Sequence, residues 1–145
     1  MTMNSLPAPR TSFTLGEEAQ FSKSFTQEEV ENFSRLSGDI NPVHLDENYA
    51  RHTLFGERII HGMLVASLIS TVLGTILPGK GSIYLSQELS FRAPAKVGET
   101  LTAKVRVLAW DGTKGRVLLA TEVLDSKGKQ LIVGEAKLVL VSFLK

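Results

Sequence analysis

One short stretch of the chain gathers side chains that can carry out acid–base chemistry. Residues 36–50 read LSGDINPVHLDENYA, which places Asp39 and His44 close together with an Asn-Pro pair between them. Gly38 permits backbone angles that are closed to other residues, and Pro42 fixes one dihedral and biases the preceding residue toward extended geometry. A carboxylate and an imidazole on one stiffened loop can jointly hold a water molecule, take a proton from it and deliver one to a substrate carbon.

A second candidate group lies where a long apolar segment begins, at the sequence HGM of residues 61–63. The first amides of a helix have no partners within the helix, and the helix dipole adds positive potential there. Gly62 lets a ligand approach this backbone closely, so its amide can stabilise an oxyanion that develops on a thioester carbonyl. We expect His61 to be structural, tying the loop to the helix start, and His52 to lie on the surface.

Composition limits the classes of function. The 145 residues suit one domain with one core, over residues 1–145, with residues 1–12 as a loose N-terminal arm that lacks the apolar core of a signal peptide. The chain has sixteen Lys and Arg and fifteen Asp and Glu, which gives a formal net charge of +1. This near balance offers no electrostatic reason to expect nucleic acid or an anionic membrane as partner. The absence of cysteine excludes disulfides, thiolate metal sites and a cysteine nucleophile, and fits a cytoplasmic location, or the mitochondrial matrix in a eukaryote.

Residues 59–79 contain no Asp, Glu, Lys or Arg and approach the length of a bilayer span. Several hydroxyl side chains interrupt this segment, Gly62 and Pro78 mark its ends, and neither flank carries an aromatic belt or a basic cluster. A helix that is apolar on all sides can equally be buried within a domain. We therefore predict a buried helix over residues 63–77.

The remaining segments predict a sheet that covers this helix. Thr26-Gln27-Glu28-Glu29 reads as a capping box that begins a short helix, and residues 38–58 read as mostly loop, with one turn of helix capped by Asp46. Apolar residues alternate with polar ones in the later segments, which indicates strands. The predicted class is α+β, with an antiparallel sheet wrapped around one long buried helix. The predicted strands are residues 19–25, 82–91, 101–107, 117–124 and 130–142.

Three stretches together resemble a known family. Residues 33–50, FSRLSGDINPVHLDENYA, resemble the signature of the (R)-specific enoyl-CoA hydratases, also called hydratase 2 or MaoC-like dehydratases. IIHGMLVASLIS and GSIYLSQELSFRAPAKVGE resemble the helix and the following strand of the same family's hot-dog fold. The resemblance implies a homodimer with a continuous sheet, and hydration of trans-2-enoyl-CoA to (R)-3-hydroxyacyl-CoA. By motif position it implies Asp39 and His44 as the catalytic pair and Gly62 as the oxyanion amide.

Other activities remain open at this stage. The alternatives are a 3-hydroxyacyl-acyl carrier protein dehydratase, a hot-dog acyl-CoA thioesterase and a non-catalytic module that binds acyl thioesters. An Asp/His pair on one loop argues against the thioesterase and against the binding module. The sequence does not separate coenzyme A from acyl carrier protein as the carrier of the substrate.

Further residues are candidates for substrate contact. Asn41, Ser70 and Leu73 are the predicted substrate-binding residues. Asn41 can also hold the loop by hydrogen-bonding to the local backbone. Ser70 and Leu73 are expected to lie along the tunnel for the acyl chain. The small residues Ser67, Ser70, Thr71 and Gly74 are expected mainly to pack the helix closely on the sheet. Arg92 ends a strand and is a candidate contact for a coenzyme A phosphate.

No metal or organic cofactor is expected. Asp39, His44, Asp46 and His52 are all ligand types, but their spacing matches no common metal site. The Asp/His pair is sufficient for the chemistry of hydration without one.

Overall fold

The computed structural model describes residues 6–144, so the first five residues of the predicted N-terminal arm lie outside the described part. Within the described residues, six strands and four helices follow one another, and a single turn of 3-10 helix, Val141–Phe143, comes last. In chain order the elements are β1 Glu18–Lys23, α1 Gln27–Ser37, α2 Pro42–Leu45, α3 Glu47–Arg51, α4 Gly62–Thr75, β2 Ser82–Gln87, β3 Ser90–Phe91, β4 Leu101–Asp111, β5 Arg116–Leu124 and β6 Gln130–Leu140.

The strands form one antiparallel sheet in the order β1-β4-β5-β6-β2, and β3 also pairs with β6. The helix α4 packs against β1, β4 and β5, and strand residues alternate between the helix side and the outer side. Residues facing the core along β4 are Leu101, Ala103, Val105 and Val107. This confirms the predicted α+β class and the hot-dog arrangement that the resemblance implied.

The prediction of one continuous strand over residues 82–91 is wrong. The regular strand pairing is interrupted between β2 and β3. At the interruption the amide of Glu88 donates a hydrogen bond to the carbonyl of Glu135 at 2.8 Å. A Cβ built on Gly134 would lie 1.8 Å from the carbonyl oxygen of Glu88. The backbone at Glu88 passes so close to position 134 that only glycine fits at that position. The period-two alternation continues across the break, which is why the sequence pattern did not reveal it.

The segment of residues 38–58 is more helical than predicted. Asn41 caps α2, its side-chain oxygen accepting from the amide of Val43 at 3.2 Å. Asp46 caps α3 in the same way, accepting from the amide of Tyr49 at 3.0 Å, as predicted. The expected loop is therefore two short helices in succession, because two polar side chains satisfy amides that a loop would leave to water.

The helix α1 ends where the segment that carries Asp39 begins. Its start has the predicted capping box, with the Glu29 amide donating to Thr26 Oγ1 at 3.1 Å and the Thr26 amide to Glu29 Oε1 at 3.0 Å. At its other end Gly38 has a φ of +84°, which favours glycine, and its amide donates to the Ser34 carbonyl at 2.9 Å. This left-handed turn redirects the chain so that Asp39 leaves the helix toward α4.

One face of α4 is not covered by the sheet. Met63, Ser67, Ser70 and Gly74 are exposed in the single chain, while the opposite face is buried. The expectation that the small residues pack the helix on the sheet is therefore wrong for Ser67, Ser70 and Gly74, because the sheet contacts the other side. Within residues 6–144, no helix has both the length and the apolar character needed to cross a membrane.

The part of the N-terminal arm nearest β1 is held in place. Both terminal nitrogens of Arg10 donate to the carboxylate of Glu17 at 2.7 Å. This pairing lowers the pKa of Glu17 to about 2, with a further contribution from the Thr14 amide. Phe13 is buried edge-on against Trp110, with the ring centroids 5.0 Å apart. The arm is therefore anchored from Arg10 onward.

Candidate active site

A carboxylate and two imidazoles meet between α1, α2 and α4. One nitrogen or oxygen from each of Asp39, His44 and His61 lies within 4.8 Å of the others. Asp39 follows α1, His44 lies within α2, and His61 immediately precedes α4. The structure thus brings together the two side chains predicted as a pair, and adds a third that the sequence assigned only a structural role.

The ring of His44 is oriented by a main-chain acceptor. Its Nδ1 lies 2.8 Å from the carbonyl oxygen of Ile59. A carbonyl oxygen can only accept, so Nδ1 carries a proton, and in the neutral form of the ring Nε2 then keeps its lone pair. Gln27 supports the backbone, because its Nε2 donates to the main-chain oxygen of His44 at 3.1 Å. The result is a nearly buried imidazole with an accepting nitrogen directed away from its anchor.

The carboxylate of Asp39 is exposed in the single chain. Its Oδ1 accepts from the amide of Asn41 at 3.3 Å, and its own amide donates to Ser37 Oγ at 3.2 Å. An ionised carboxylate offers about four lone-pair positions, so this contact leaves it able to accept from a water or a substrate hydroxyl. The Asp39 carboxylate and His44 Nε2 are therefore two hydrogen-bond acceptors on neighbouring elements. A single water molecule needs two such acceptors for its two hydrogens.

His61 is the most buried member of the group, with an exposed fraction of 1%. Its Nε2 lies 3.1 Å from the main-chain oxygen of Asp39 and 3.0 Å from Ser34 Oγ. The first contact confirms the predicted tie between the loop and the helix start. Burial lowers the pKa of His61, and the contact with Asp39 opposes this in part. Ser34 was not identified from the sequence, which carries no signal for it beyond its place on the apolar face of α1.

The two imidazoles are stacked, with ring centroids 3.9 Å apart and planes 28° from parallel. A zinc ion lies in the plane of each imidazole that binds it, about 2.0–2.1 Å from the nitrogen. Nearly parallel planes at this separation do not converge on one ion at that distance. The arrangement of Asp39, His44 and His61 therefore fits acid–base chemistry better than chelation.

The start of α4 borders a cavity of about 300 Å³. Gly62 is its first helical residue, and Ile59, whose carbonyl anchors His44, lines the same cavity. Asp39 and His44 are not among the lining residues, so the cavity lies beside the acid–base pair. Arg92 also lines it, and its Nη1 donates to Gln130 Oε1 at 3.3 Å. The other lining residues are Phe55, Ile60, Val65, Phe91, Ala93, Pro94, Ala95 and Ile132.

A second cavity, of about 390 Å³, lies between the uncovered face of α4 and β2. Ser70 lines it together with Met63, Ser67 and residues of β2. Leu73 has an exposed fraction of 1% and belongs to the core instead, lining neither of these two cavities. The side chain of Asn41 is used to cap α2, and His52 lies on the surface as predicted.

Comparison with known proteins shows the family to which the chain belongs. The model of the MaoC-like domain matches residues 10–127. The chain is 47% identical over 125 residues to an (R)-specific enoyl-CoA hydratase of Aeromonas caviae, covering 86% of this chain and 93% of that protein. It is 43% identical to an (R)-specific enoyl-CoA hydratase of Rhodospirillum rubrum, covering 86% of each. A solved structure of the (R)-hydratase from A. caviae involved in PHA biosynthesis superposes with a TM-score of 0.87 at 46% identity, covering 90% of this chain and 99% of that one.

Proposed function

This chain belongs to the MaoC-like domain family, and we propose that it is an (R)-specific enoyl-CoA hydratase. Such an enzyme is a hydro-lyase that adds water reversibly to trans-2-enoyl-CoA and forms (R)-3-hydroxyacyl-CoA. The observation that carries the proposal is that a carboxylate oxygen of Asp39 lies within 4.8 Å of a ring nitrogen of His44, whose ring is anchored at Nδ1 by the Ile59 carbonyl. The similarity to hydratases over most of the chain supports the same reaction.

In the proposed mechanism, Asp39 and His44 each accept one hydrogen of a bound water. The water oxygen adds to C3 of the enoyl thioester while one of the pair takes a proton. That proton returns to C2, which balances the reaction without an outside acid. Since water and proton come from the same pair, both add to one face of the double bond, and the addition is syn.

The negative charge that develops on the thioester oxygen needs a donor, and we assign this role to the amide of Gly62. This residue is the first of α4, where amides lack partners within the helix and the dipole adds positive potential. It also lines the cavity beside the acid–base pair. A donor directed at the developing oxyanion lowers the barrier without having to reorganise during the reaction.

We propose that Ser70 contacts the substrate and that Asn41 and Leu73 support the substrate-binding site. Asn41 lies between the two catalytic side chains in sequence and holds α2 in place. Ser70 lines the second cavity, where an acyl chain would lie along α4. Leu73 is buried behind that face, so its part in the proposal is to support the tunnel wall from the core side.

We also propose a homodimer. β2 ends the sheet, and its residues Ile83, Tyr84 and Leu85 are exposed by 39–47% in the single chain. Beside it lies the uncovered face of α4, so an open strand edge and an apolar groove adjoin each other. Open edges of this kind invite pairing. A second copy that continues the sheet at β2 would cover both.

The deciding experiment measures crotonyl-CoA in the presence of the purified protein. Hydration is followed as loss of the enone absorbance, and the product is resolved by chiral chromatography to establish the R isomer. Release of free coenzyme A thiol without loss of the enone would identify a thioesterase instead. Saturable binding with no turnover would identify a binding module. A parallel reaction with crotonyl-acyl carrier protein tells which carrier is preferred.

A further inference from the structure

The side chain of His61 makes contacts that its position in the fold does not require. It precedes α4 as the N-cap residue, but its imidazole forms no capping hydrogen bond with that helix. Instead its Nε2 contacts the Asp39 carbonyl and Ser34 Oγ, at 3.1 and 3.0 Å. One ring face stacks on His44, and Phe33 meets the ring edge-on with centroids 4.8 Å apart. A single buried side chain therefore contacts both members of the proposed catalytic pair.

These contacts define one protonation state of the ring. The Asp39 carbonyl can only accept, so Nε2 carries the proton. The remaining nitrogen, Nδ1, is buried and has no hydrogen-bond partner among the described residues. Protonating it would place an unpaired donor and a positive charge in the interior, against the ring of His44. His61 is therefore a neutral donor through Nε2, and its lowered pKa agrees with this.

We propose that His61 is a positioning residue that sets the distance and orientation between Asp39 and His44. Its N–H holds the backbone of Asp39, and its ring face restrains rotation of the His44 ring out of its plane. The Ile59 carbonyl restrains the same His44 ring within its plane, through Nδ1 at 2.8 Å. This inference rests on the proposed hydratase function, since it gives His61 a part in that reaction without contact with substrate.

Two variants separate the two contacts. His61→Phe keeps an aromatic ring for stacking on His44 and removes the donor to Asp39. His61→Gln keeps an N–H at similar reach and removes the ring. Because a misplacement of about 1 Å at a reacting group can cost ~10²-fold in rate, each variant should lower kcat for crotonyl-CoA by up to that factor. KM should change little, because His61 is buried at 1% exposure and does not line either cavity.

A control distinguishes positioning from general destabilisation. Val123→Ala shortens a fully buried side chain in β5, away from the three-residue group, and should lower the melting temperature while leaving kcat at wild-type level at 25 °C. If the two His61 variants lose kcat at temperatures where circular dichroism finds them fully folded, the proposal is supported. If they keep wild-type kcat, or lose it only in proportion to the unfolded fraction, the proposal is wrong.

Imidazole nitrogen NMR of the wild-type protein provides a readout that does not depend on activity. We expect the His61 signals of a neutral ring protonated at Nε2 at pH 7.5, and a change in the His44 signals in both His61 variants. A His61 ring protonated at Nδ1, or unchanged His44 signals in both variants, would overturn the proposal. Failure of the wild-type protein to hydrate crotonyl-CoA would instead remove the proposed function, and the spectra would still decide whether His61 orients His44.

Discussion

The ring of Phe91 packs directly on the backbone of Gly62. A Cβ built on Gly62 would lie 2.8 Å from Cε1 and 2.9 Å from Cδ1 of that ring, closer than real side chains approach. Phe91 reaches this position because β3 pairs with β6, where it lies opposite Ile132. All three residues line the cavity at the start of α4. The amide proposed to stabilise the oxyanion therefore has an aromatic ring beside it, and the absence of a side chain at position 62 makes this possible.

Gly62→Ala should lower the rate of crotonyl-CoA hydration. Loss of one oxyanion donor typically costs about 10²–10³-fold in kcat, which is the expected upper range if the new methyl group disturbs the amide. Gly112→Ala is the control, since a Cβ there lies 3.5 Å from the nearest atom, in Trp110, which is an ordinary van der Waals contact. Adding Phe91→Ala to Gly62→Ala should recover part of both the melting temperature and the rate, because it removes the ring that the new methyl group meets. Wild-type kcat in Gly62→Ala would show that catalysis does not depend on the absence of a side chain at position 62.

Asp39→Asn and His44→Ala should each lower kcat by about 10²–10⁴-fold, because general acid–base groups contribute on that order. Both should remain folded by circular dichroism, and the double variant should be little slower than the slower single one, since the pair acts as a unit. Asp46→Asn is the control on the same segment, because asparagine also caps a helix and α3 keeps its start. A folded Asp39→Asn protein with near-normal hydration would reduce Asp39 to a turn residue.

Leu85→Lys should convert the proposed dimer to a monomer. Leu85 is 47% exposed on β2 and lines the groove beside α4, so a lysine there would bury a charge if a second copy covers it. Leu15→Lys, at a leucine that is 66% exposed near the opposite edge of the sheet, should leave the assembly unchanged. Sedimentation velocity at micromolar concentration measures both. An active wild-type monomer at that concentration would contradict the dimer.

The free energy of unfolding should decrease as the pH falls below 6.5, the ordinary pKa of histidine. Burial lowers the pKa of His61 in the folded state from the ordinary value of 6.5, so the unfolded chain takes up a proton first. The free energy of unfolding then falls as the pH drops through about 6.5, and the loss ends below the folded-state pKa of His61. Urea unfolding at several values between pH 5 and pH 8 should show this slope in the wild type and a smaller one in His61→Gln.

Hydration should not require a metal ion. The stacked rings of His44 and His61 do not converge on one ion, and the Asp39/His44 pair is sufficient for the proton transfers. Dialysis against EDTA should therefore leave the rate of crotonyl-CoA hydration unchanged. Activity that disappears after this treatment and returns with a divalent ion would refute the expectation.

Local patterns in the sequence determined several features correctly. The capping box of Thr26 and Glu29, the cap at Asp46 and the left-handed turn at Gly38 depend on residues within a few positions of one another. The alternation along β4 likewise depends on the strand period alone. Such contacts form between near neighbours, so their chemistry is visible in the order of the residues. The spacing of Asp39 and His44 on one short segment belongs to the same class.

Only the tertiary structure decided the surroundings of that pair. His61 contacts Ser34, Asp39 and His44 from the start of another helix, and it reaches them because α4 packs against the sheet while α1 and α2 close over its end. The break at Glu88 likewise depends on Gly134 in a strand far along the chain. Such contacts cannot be recognised from a fixed spacing in the sequence, because the number of residues between the partners depends on the lengths of the helices and strands that separate them. The sequence therefore placed Asp39 and His44 on one short segment, and the packing of separate elements brought His61 against them.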